Sequence, residues 1–207
     1  MDNYAGVTWT NVEERHILIG WMNNWNYAGT VPANPWRSAM TLPRELNLIE
    51  YDDEPILAST VVEEIEDIAG EWKEIASESL GVSDAYQLKL ELDLTKNALI
   101  MLKNATGEYL EMTVNADTRQ LITHRTGKTG QYSFAGNFAI PSIKSPFNAD
   151  EDKVVLDIFV DRSSVEVFTE NGSMVQTNIV FPNGIYNQLV VEGQKVNAKV
   201  RELKSIW

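Results

Sequence analysis

Residues 84–94 are Asp-Ala-Tyr-Gln-Leu-Lys-Leu-Glu-Leu-Asp-Leu, and their pattern identifies the fold class. Leucine alternates with lysine, glutamate and aspartate from Leu88 to Leu94, which predicts a β-strand with one buried and one solvated face. Runs of the same type follow at 98–103, 109–114, 120–125, 153–160, 164–169, 173–180, 185–191 and 195–203. Strands spaced by about ten residues, with few helix signals between them, predict an antiparallel β-sandwich over residues 80–207.

Two turn motifs support this prediction. Asn171-Gly172 lies between two of the runs and is a strong hairpin signal, because both residue types tolerate positive φ. Asp161-Arg162-Ser163-Ser164 is typical of a hairpin turn in which Asp161 accepts bonds from backbone amides and pairs with Arg162. Contact with a ligand is the alternative for this second turn.

The first 45 residues predict a smaller β unit. Runs of β type occur at 4–10, 15–22 and 36–42, and a polar turn at 11–14 separates the first two. Three strands make an antiparallel meander, which is too small to bury a stable core alone. We therefore expect it to pack on a neighbour.

Residues 46–79 are predicted to form a connector with a short helix. Leu57, Val61, Ile65 and Ile68 have helical spacing. The acidic residues of this segment are adjacent in sequence rather than spaced to converge on one cation. A solvated face is therefore favoured over a carboxylate metal site.

Composition excludes several classes of function. The 207 residues include 17 Lys and Arg against 30 Asp and Glu, which gives a formal net charge of −13. Nucleic acid and anionic membrane surfaces are excluded as partners, since both need a cationic face. The absence of cysteine excludes disulfides and thiol nucleophiles. The longest apolar run, at 17–22, is far shorter than the roughly 20 residues that span a bilayer, and no signal peptide is expected after Met1.

Most catalytic classes lack the residues they need. The two histidines, His16 and His124, lie in β runs without a nucleophile elbow, so a structural role is favoured over a catalytic triad. No zinc motif and no glycine-rich phosphate loop occurs, so neither a metal nor a cofactor is predicted. A glycosidase pair of carboxylates stays open, because 30 acidic residues offer many pairs and sequence alone places none of them.

Aromatic residues are concentrated near the start of the chain. Four of the six tryptophans are Trp9, Trp21, Trp25 and Trp36. Residues 21–27, Trp-Met-Asn-Asn-Trp-Asn-Tyr, alternate flat rings with amides, a mixture that suits the apolar face and the hydroxyls of a sugar. We predict sugar contact for Trp25 and core packing for Trp9 and Trp36, while Trp21 fits either role.

Residues 20–27, 31–32 and 35–46 form longer motifs that resemble the last propeller blade of glycoside hydrolase family 32, and the best likeness is to bacterial levanases and fructanases. Asp2-x-Tyr4-Ala5 resembles the innermost strand of the same blade. Residues 158–168, Ile-Phe-Val-Asp-Arg-Ser-Ser-Val-Glu-Val-Phe, and the terminal Trp207 resemble its C-terminal sandwich. The resemblance implies an all-β chain, in which one blade of an incomplete five-bladed β-propeller at 1–45 precedes the sandwich.

The resemblance also implies an activity, the hydrolysis of β-fructosidic bonds in levan, inulin or sucrose with retention of configuration. The family's nucleophile lies in Trp-Met-Asn-Asp-Pro-Asn-Gly, its stabilising aspartate in Arg-Asp-Pro and its acid/base glutamate in Glu-Cys, and none of these motifs occurs here. Asn24 is followed by Trp25 rather than Pro-Asn-Gly, and an amide cannot be that nucleophile. No catalytic residue and no turnover are therefore expected from this chain alone. The family's tryptophan at the fructose pocket matches Trp25, with Asn24 and Trp21 as neighbours.

Three functions follow as alternatives. The first is the C-terminal part of a fructan hydrolase, whose partners are the missing propeller blades and a fructan or sucrose-type carbohydrate. The second is a non-catalytic fructan-binding module, which is less favoured because the tryptophans of the sandwich region, Trp72 and Trp207, lie at its margins. The third is a structural role in which the exposed blade edge pairs with a second copy. The likeness to fructanases implies an extracellular parent enzyme, although related sucrose-phosphate hydrolases are cytosolic.

Overall fold

The computed structural model describes residues 2–12, 14–35, 37–149 and 152–205, so the predictions for Trp36 and Trp207 lie outside the described residues. Regular structure in these ranges is β, apart from one 3₁₀ helix, and all strand pairings are antiparallel. The predicted all-β class is confirmed. In the same ranges, no helix is long and apolar enough to cross a membrane.

The first sheet, named here the N-terminal sheet, has five strands within the described residues. They are β1 (Tyr4–Thr8), β2 (Ile17–Met22), β3 (Ala39–Met40), β4 (Arg44–Tyr51) and β5 (Glu54–Val61). The order is β1-β2-β4-β5, and β3 pairs with the end of β2 while β4 pairs with its beginning. The run predicted at 36–42 is thus reduced to two paired residues. Pro43 has no N–H with which to continue the ladder into β4.

The helix predicted from the spacing of residues 57–68 is wrong over its first half. Residues 54–61 form β5, which pairs with β4 along its whole length. Asp52 and Asp53 have φ values of 50° and 63°, so they make the tight two-residue turn of a hairpin. The helix is limited to the 3₁₀ segment Glu63–Asp67.

The acidic residues of this 3₁₀ segment form ion pairs in addition to a solvated face. Arg15 donates to Glu64 at 2.6 Å and to Glu45 at 3.0 Å. The hydrogen bond from Arg15 lowers the pKa of the Glu64 carboxyl to about 2. Arg201 donates to both carboxylate oxygens of Glu66 and lowers the pKa of that carboxyl as well.

Two further sheets pack face to face as the predicted sandwich. Their orders are β11-β10-β9-β8-β15 and β14-β13-β12-β7-β16-β6. All strands predicted after residue 84 are present, and β6 and β11 are additional to the prediction. The strands are β6 (Lys73–Glu74), β7 (Tyr86–Asp93), β8 (Ala98–Lys103), β9 (Tyr109–Asn115), β10 (Gln120–Arg125), β11 (Ile140–Pro146), β12 (Lys153–Asp161), β13 (Ser164–Thr169), β14 (Val175–Ile179), β15 (Gln188–Glu192) and β16 (Asn197–Glu202).

The main core lies between these two sheets. Leu88, Leu90 and Leu92 of β7 are fully buried, whereas Lys89 and Glu91 between them are half-buried. Burial of each leucine contributes roughly 1.5–3 kcal/mol to stability. The period-two pattern of the sequence therefore identifies the inner face of the sheet correctly. Fully buried side chains of the facing sheet include Ile100, Leu102, Leu110, Met112 and Val114.

Both predicted turns are present in the six-stranded sheet. Gly172, with a φ of 72°, lies in the turn of the β13–β14 hairpin, and its carbonyl accepts from Ser59 N of β5 at 2.8 Å. Asp161 accepts from the backbone N–H of Arg162 at 2.7 Å, as predicted. The guanidinium of Arg162, however, pairs with Asp84 at 3.3 Å rather than with Asp161.

A second hydrophobic cluster joins the N-terminal sheet and its loops to the sandwich. Met22, Tyr27 and Val31 pack there with Phe138 and Ile179. The first unit thus packs on a neighbour, as its small size requires.

Candidate functional site

The loop that follows β2 is a compact turn, named here the Trp25 loop (residues 23–31). The carbonyl of Asn24 accepts from Tyr27 N at 3.1 Å, and Asn24 Oδ1 accepts from Asn26 N at 3.0 Å. Asparagine side chains favour such turns because they bond the backbone two residues ahead. The backbone that bears Trp25 is therefore held by hydrogen bonds on both sides.

Three aromatic rings lie side by side on the N-terminal sheet and form an exposed surface, named here the aromatic face. The ring centroid of Trp21 lies 6.3 Å from that of Tyr4 and 5.0 Å from that of Trp25. Trp25 is 74% exposed and Tyr4 is 56% exposed, while Trp21 is half-buried. The structure thus brings Trp21 and Trp25 together, and their contact with a sugar stays a prediction.

Asn24, the third predicted contact residue, is half-buried and shapes the turn beneath Trp25. Its Oδ1 is engaged by the backbone of the loop, and the Nδ2 of the preceding Asn23 donates to Ser38 Oγ at 2.9 Å. These two atoms therefore stabilise the loop and its surroundings, and the contact of Asn24 with a sugar stays a prediction.

The core position predicted for Trp9 is wrong. Its side chain is 45% exposed, and Val7 nearby is 59% exposed. β1 is an edge strand that pairs with β2 alone, and all five of its residues are exposed. In the described structure no second layer covers this edge, so Trp9 has nothing to pack into.

A buried cluster of charged and polar groups, named here the buried triad, lies at the root of the Trp25 loop. Asp2 and Arg125 are both 0% exposed and form an ion pair of 2.5 Å. The Tyr27 hydroxyl donates to Asp2 Oδ1 and accepts from Arg125 Nη2 at 2.9 Å. Burial, together with the charge of Asp2, raises the pKa of Tyr27, so the phenol stays protonated at neutral pH.

Arg125 has an acceptor for each of its three guanidinium nitrogens. Nε donates to Phe138 O at 2.9 Å, and Nη1 donates to Ile179 O at 3.2 Å as well as to Asp2. The guanidinium also stacks on the Phe138 ring at 4.2 Å from the centroid. Sequence reasoning missed this triad. The available signal was Arg125 itself, an arginine at an inward position of the predicted strand 120–125, which requires a buried partner.

A second buried ion pair joins the two units. Arg44 Nη2 lies 2.5 Å from Glu166 Oε2, and Glu166 Oε1 accepts from Leu42 N at 2.7 Å. Thr177 Oγ1 donates to the same carboxylate at 2.9 Å. Both oxygens of Glu166 are therefore used at the interface between the N-terminal sheet and the sandwich.

A cleft of about 520 Å³ opens next to this ion pair, between the two units. Apolar side chains such as Met40, Ile65 and Phe159 line it, and the pair Asp84–Arg162 also borders it. Among the described residues, no three histidine, aspartate or glutamate side chains are grouped to hold a metal ion. The two histidines, for which a structural role is favoured, have different surroundings. His16 is exposed, whereas His124 Nδ1 lies 2.5 Å from Pro141 O.

Two domain models of one protein family match consecutive parts of the chain. The model described as "Glycosyl hydrolases family 32 N-terminal domain" matches residues 1–59, and the one described as "Glycosyl hydrolases family 32 C terminal" matches residues 60–206. The chain belongs to glycosyl hydrolase family 32.

Individual family 32 proteins match it from end to end. A levanase from Bacillus subtilis is 35% identical, over 100% of this chain and 34% of the levanase. An extracellular exo-inulinase from Aspergillus niger is 30% identical, over 100% of this chain and 42% of that protein. The crystal structure of the exo-inulinase from Aspergillus awamori aligns with a TM-score of 0.88 at 28% identity, over 100% of this chain and 44% of that one. The chain thus spans less than half the length of these family 32 relatives.

Membership of family 32 confirms the resemblance carried by residues 20–46 and 158–168. The three catalytic motifs implied by that resemblance are absent from the sequence. Contact of Trp25, Asn24 and Trp21 with a carbohydrate stays a prediction.

Proposed function

We propose that this chain is the C-terminal part of a fructan-hydrolysing glycosidase that cleaves β-fructosidic bonds in levan, inulin or sucrose. The observation that supports this most strongly is the match of the whole chain to a levanase and to exo-inulinases, with one alignment at a TM-score of 0.88. The N-terminal sheet is then the last blade of a propeller, and the sandwich stabilises that propeller. The chain alone performs no turnover.

We further infer that the three-part division of the chain holds with one changed boundary. The blade, first placed at residues 1–45, extends to the end of β5 at residue 61. The connector covers 62–79 and contributes β6 to the edge of a sandwich sheet, and the sandwich itself covers 80–207. Support comes from the pairing of β4 with both β2 and β5. The change from one family match to the other also falls close by, at residues 59 and 60.

The remaining propeller blades are the proposed partner of the exposed strand β1. Tyr4 and Val7 on this strand are more than half exposed, and Trp9 just after it is 45% exposed. Open strand edges with apolar side chains are normally covered, because their free backbone groups pair with other chains. Sedimentation velocity over a range of concentrations tests the alternative of self-pairing. A dimer that the Val7→Lys change abolishes would mean that a second copy of the chain covers the β1 edge. A monomer at all concentrations would support the missing blades as the partner of that edge.

The proposed sugar contact is formed by Trp25 and Trp21 of the aromatic face, with Asn24 beside them. The rings of Trp21 and Trp25, with planes at 51° to each other, present two adjoining apolar faces, and Asn24 fixes the turn that holds Trp25. Stacking of this kind contributes roughly 1–3 kcal/mol when the contact is well buried. Because Trp25 is 74% exposed here, binding of fructose or levan to this chain alone is expected to be weak.

The test measures turnover and binding side by side. Reducing-sugar release from levan, inulin and sucrose is expected to be absent. Calorimetry with fructose and levan is expected to show weak binding that is lost in Trp25→Ala and retained in Trp9→Ala, a matched change of another exposed tryptophan. Turnover at an enzymatic rate would overturn the proposal of missing catalytic blades. Binding that survives Trp25→Ala would remove the sugar contact from the aromatic face.

A fructan-binding module is the alternative that such surviving binding would support. The sandwich offers little aromatic surface for that role. Among its described residues, Tyr132 is the large hydrophobic side chain that is clearly exposed, at 44%. Trp72 is covered by Lys199 and Arg201, which lie 4.8 and 4.4 Å from its ring centroid.

We also propose that the whole enzyme is secreted, because the Aspergillus niger relative is named an extracellular exo-inulinase. Immunodetection in the culture medium rather than in cell extracts is the expected result.

A further inference from the structure

The Trp25 loop has an exposed tip and a buried root. Trp25 is 74% exposed, whereas Tyr27, two residues further on, is 3% exposed. Both belong to one hydrogen-bonded turn, in which Tyr27 N donates to Asn24 O at 3.1 Å. Tyr27 and Trp25 are therefore carried by the same short hydrogen-bonded segment of backbone.

The root of this loop is held mainly by the sandwich. The Tyr27 ring packs edge-on against Phe138, with centroids 5.1 Å apart and planes at 88°. Its hydroxyl accepts from Arg125 of β10 at 2.9 Å. Asn137, which directly precedes Phe138, donates to Asn26 O of the loop at 3.3 Å. Two separate parts of the sandwich thus contact the loop next to Trp25.

Arg125 itself is fixed in place. It is 0% exposed, stacks on Phe138, and bonds the backbone oxygens of Phe138 and Ile179. A guanidinium is planar, so several simultaneous bonds leave one orientation for the group. The Nη2 atom therefore presents a fixed donor to the Tyr27 hydroxyl.

We propose that Arg125 is a positioning residue that sets the orientation of Trp25 through Tyr27. The sandwich then does more than stabilise the N-terminal sheet, because it determines the geometry of the surface that contacts the sugar. The part of this inference that concerns sugar rests on the proposed function. The coupling from Arg125 to Trp25 stands on the contacts described above.

The experiment follows Trp25 directly in the full chain. The readouts are the exciton band of the Trp21–Trp25 pair in circular dichroism and the indole N–H resonance of Trp25, assigned with Trp25→Phe. Arg125→Lys keeps the charge opposite Asp2 but loses the planar fork. Tyr27→Phe removes only the hydroxyl, and Asn137→Ala changes an exposed side chain, so both remain informative if Arg125→Lys fails to fold. Each folded variant is expected to shift the Trp25 resonance and to weaken the exciton band.

Glu166→Gln is the matched control. It disturbs the other buried ion pair of the same interface, whose bonds go to Leu42, Arg44 and Thr177 rather than to the Trp25 loop. This variant is expected to lower Tm without moving the Trp25 signals. Unchanged signals in Tyr27→Phe, or equal changes in Glu166→Gln, would overturn the positioning role of Arg125, and a shift in Asn137→Ala alone would assign that role to Asn137 instead.

Retention on a levan affinity gel separates the two proposals. A several-fold loss of retention in Tyr27→Phe, together with shifted Trp25 signals, supports both. If the Trp25 signals shift in Tyr27→Phe but the levan gel does not retain even the wild-type chain, the positioning role is kept and the sugar contact is rejected. If the gel retains the wild type and not Trp25→Ala, but Arg125→Lys, Tyr27→Phe and Asn137→Ala leave the Trp25 signals unchanged, the sugar contact is kept and the positioning role is rejected.

Discussion

The sandwich and the N-terminal sheet have the same antiparallel pairing but bury their residues differently. In the sandwich, inward residues of β7 such as Leu88 and Leu90 are fully buried between two sheets. In the N-terminal sheet, β1 is exposed throughout, and the cross-strand pair Leu48 and Leu57 is 76% and 61% exposed. A sheet without a facing sheet has no interior of its own, so its stability depends on what docks against it.

Two buried ion pairs, Asp2–Arg125 and Arg44–Glu166, lie at the docking surface itself. Each pair takes one residue from the N-terminal region and one from the sandwich. A buried charge is strongly unfavourable without its partner, so a shifted docking position would leave charges unpaired. Apolar burial between two sheets therefore stabilises the sandwich, whereas the position of the N-terminal sheet depends on paired charges as well as on the second hydrophobic cluster.

The largest expected effect is that of Asp2→Ala. It leaves the Arg125 guanidinium buried without its carboxylate and is expected to cost about 3–5 kcal/mol of unfolding free energy in urea denaturation. The double variant Asp2→Ala/Arg125→Met, which removes both charges, is expected to lose less than the single variant. A single variant as stable as the wild type would show that the docking surface does not depend on this pair.

A pair of leucine truncations tests the two units directly. Leu102→Ala in the sandwich core is expected to cost roughly 2–5 kcal/mol, because the side chain is 0% exposed and leaves a cavity. Leu48→Ala in the N-terminal sheet, at 76% exposure, is expected to change stability by less than about 0.5 kcal/mol. Similar losses in the two variants would mean that the outer face of the N-terminal sheet is covered in solution.

Gly172→Ala probes the contact between the β13–β14 hairpin and β5. The positive φ alone is expected to cost roughly 1–2 kcal/mol. A Cβ at this position would also lie 2.9 Å from Ser59 N, so the hairpin must shift away from β5. Gly107→Ala is the matched control, since Gly107 has a φ of 83° and open space around it. The difference between the two losses in Tm measures the hairpin contact, and equal losses would show that the contact contributes nothing.

Among the changes to charged residues, the smallest expected effect is that of Glu66→Gln, because the Glu66 side chain is 63% exposed and its pairing with Arg201 is screened by solvent. The loss at neutral pH is expected to be at most about 1 kcal/mol. The bond from Arg201 lowers the pKa of Glu66, so the folded state favours the ionised carboxyl. The stabilisation is therefore present above the ordinary pKa of 4.5 and is lost as the pH falls through the lowered value. Thermal unfolding from pH 7 to pH 3 should show the variant and wild type converging, with Glu71→Gln as an exposed control.

The sequence predicts much of the sandwich because strands such as β8, β9 and β10 follow one simple rule, a buried residue at alternate positions. The N-terminal sheet follows that rule poorly. Its β4–β5 hairpin turns at Asp52 and Asp53, two acidic residues that also fit a solvated helix, and the spacing of Leu57 and Val61 is helical by coincidence. A short exposed strand offers no periodicity that distinguishes it from a helix.

The candidate site also has one part that the sequence predicts and one part that it does not. Trp21 and Trp25 are close in sequence, so their proximity follows from local structure. Asp2 and Arg125 are 123 positions apart, and their pairing depends on how two separate units dock. No local pattern specifies such a partner, although a lone arginine on the inner face of β10 signals that one must exist.

The tip of the β13–β14 hairpin has a practical consequence for protein engineering. Hairpin tips are usually the safest places to insert a tag, a reporter or a second domain. Here the tip is closed to such insertions, because the Gly172 carbonyl bonds Ser59 and Asn171 donates to Asn148 O at 2.9 Å. At Gly107, in the turn between β8 and β9, an added Cβ would meet nothing within 4 Å, so this turn is a more suitable place for added sequence than the tip at Gly172.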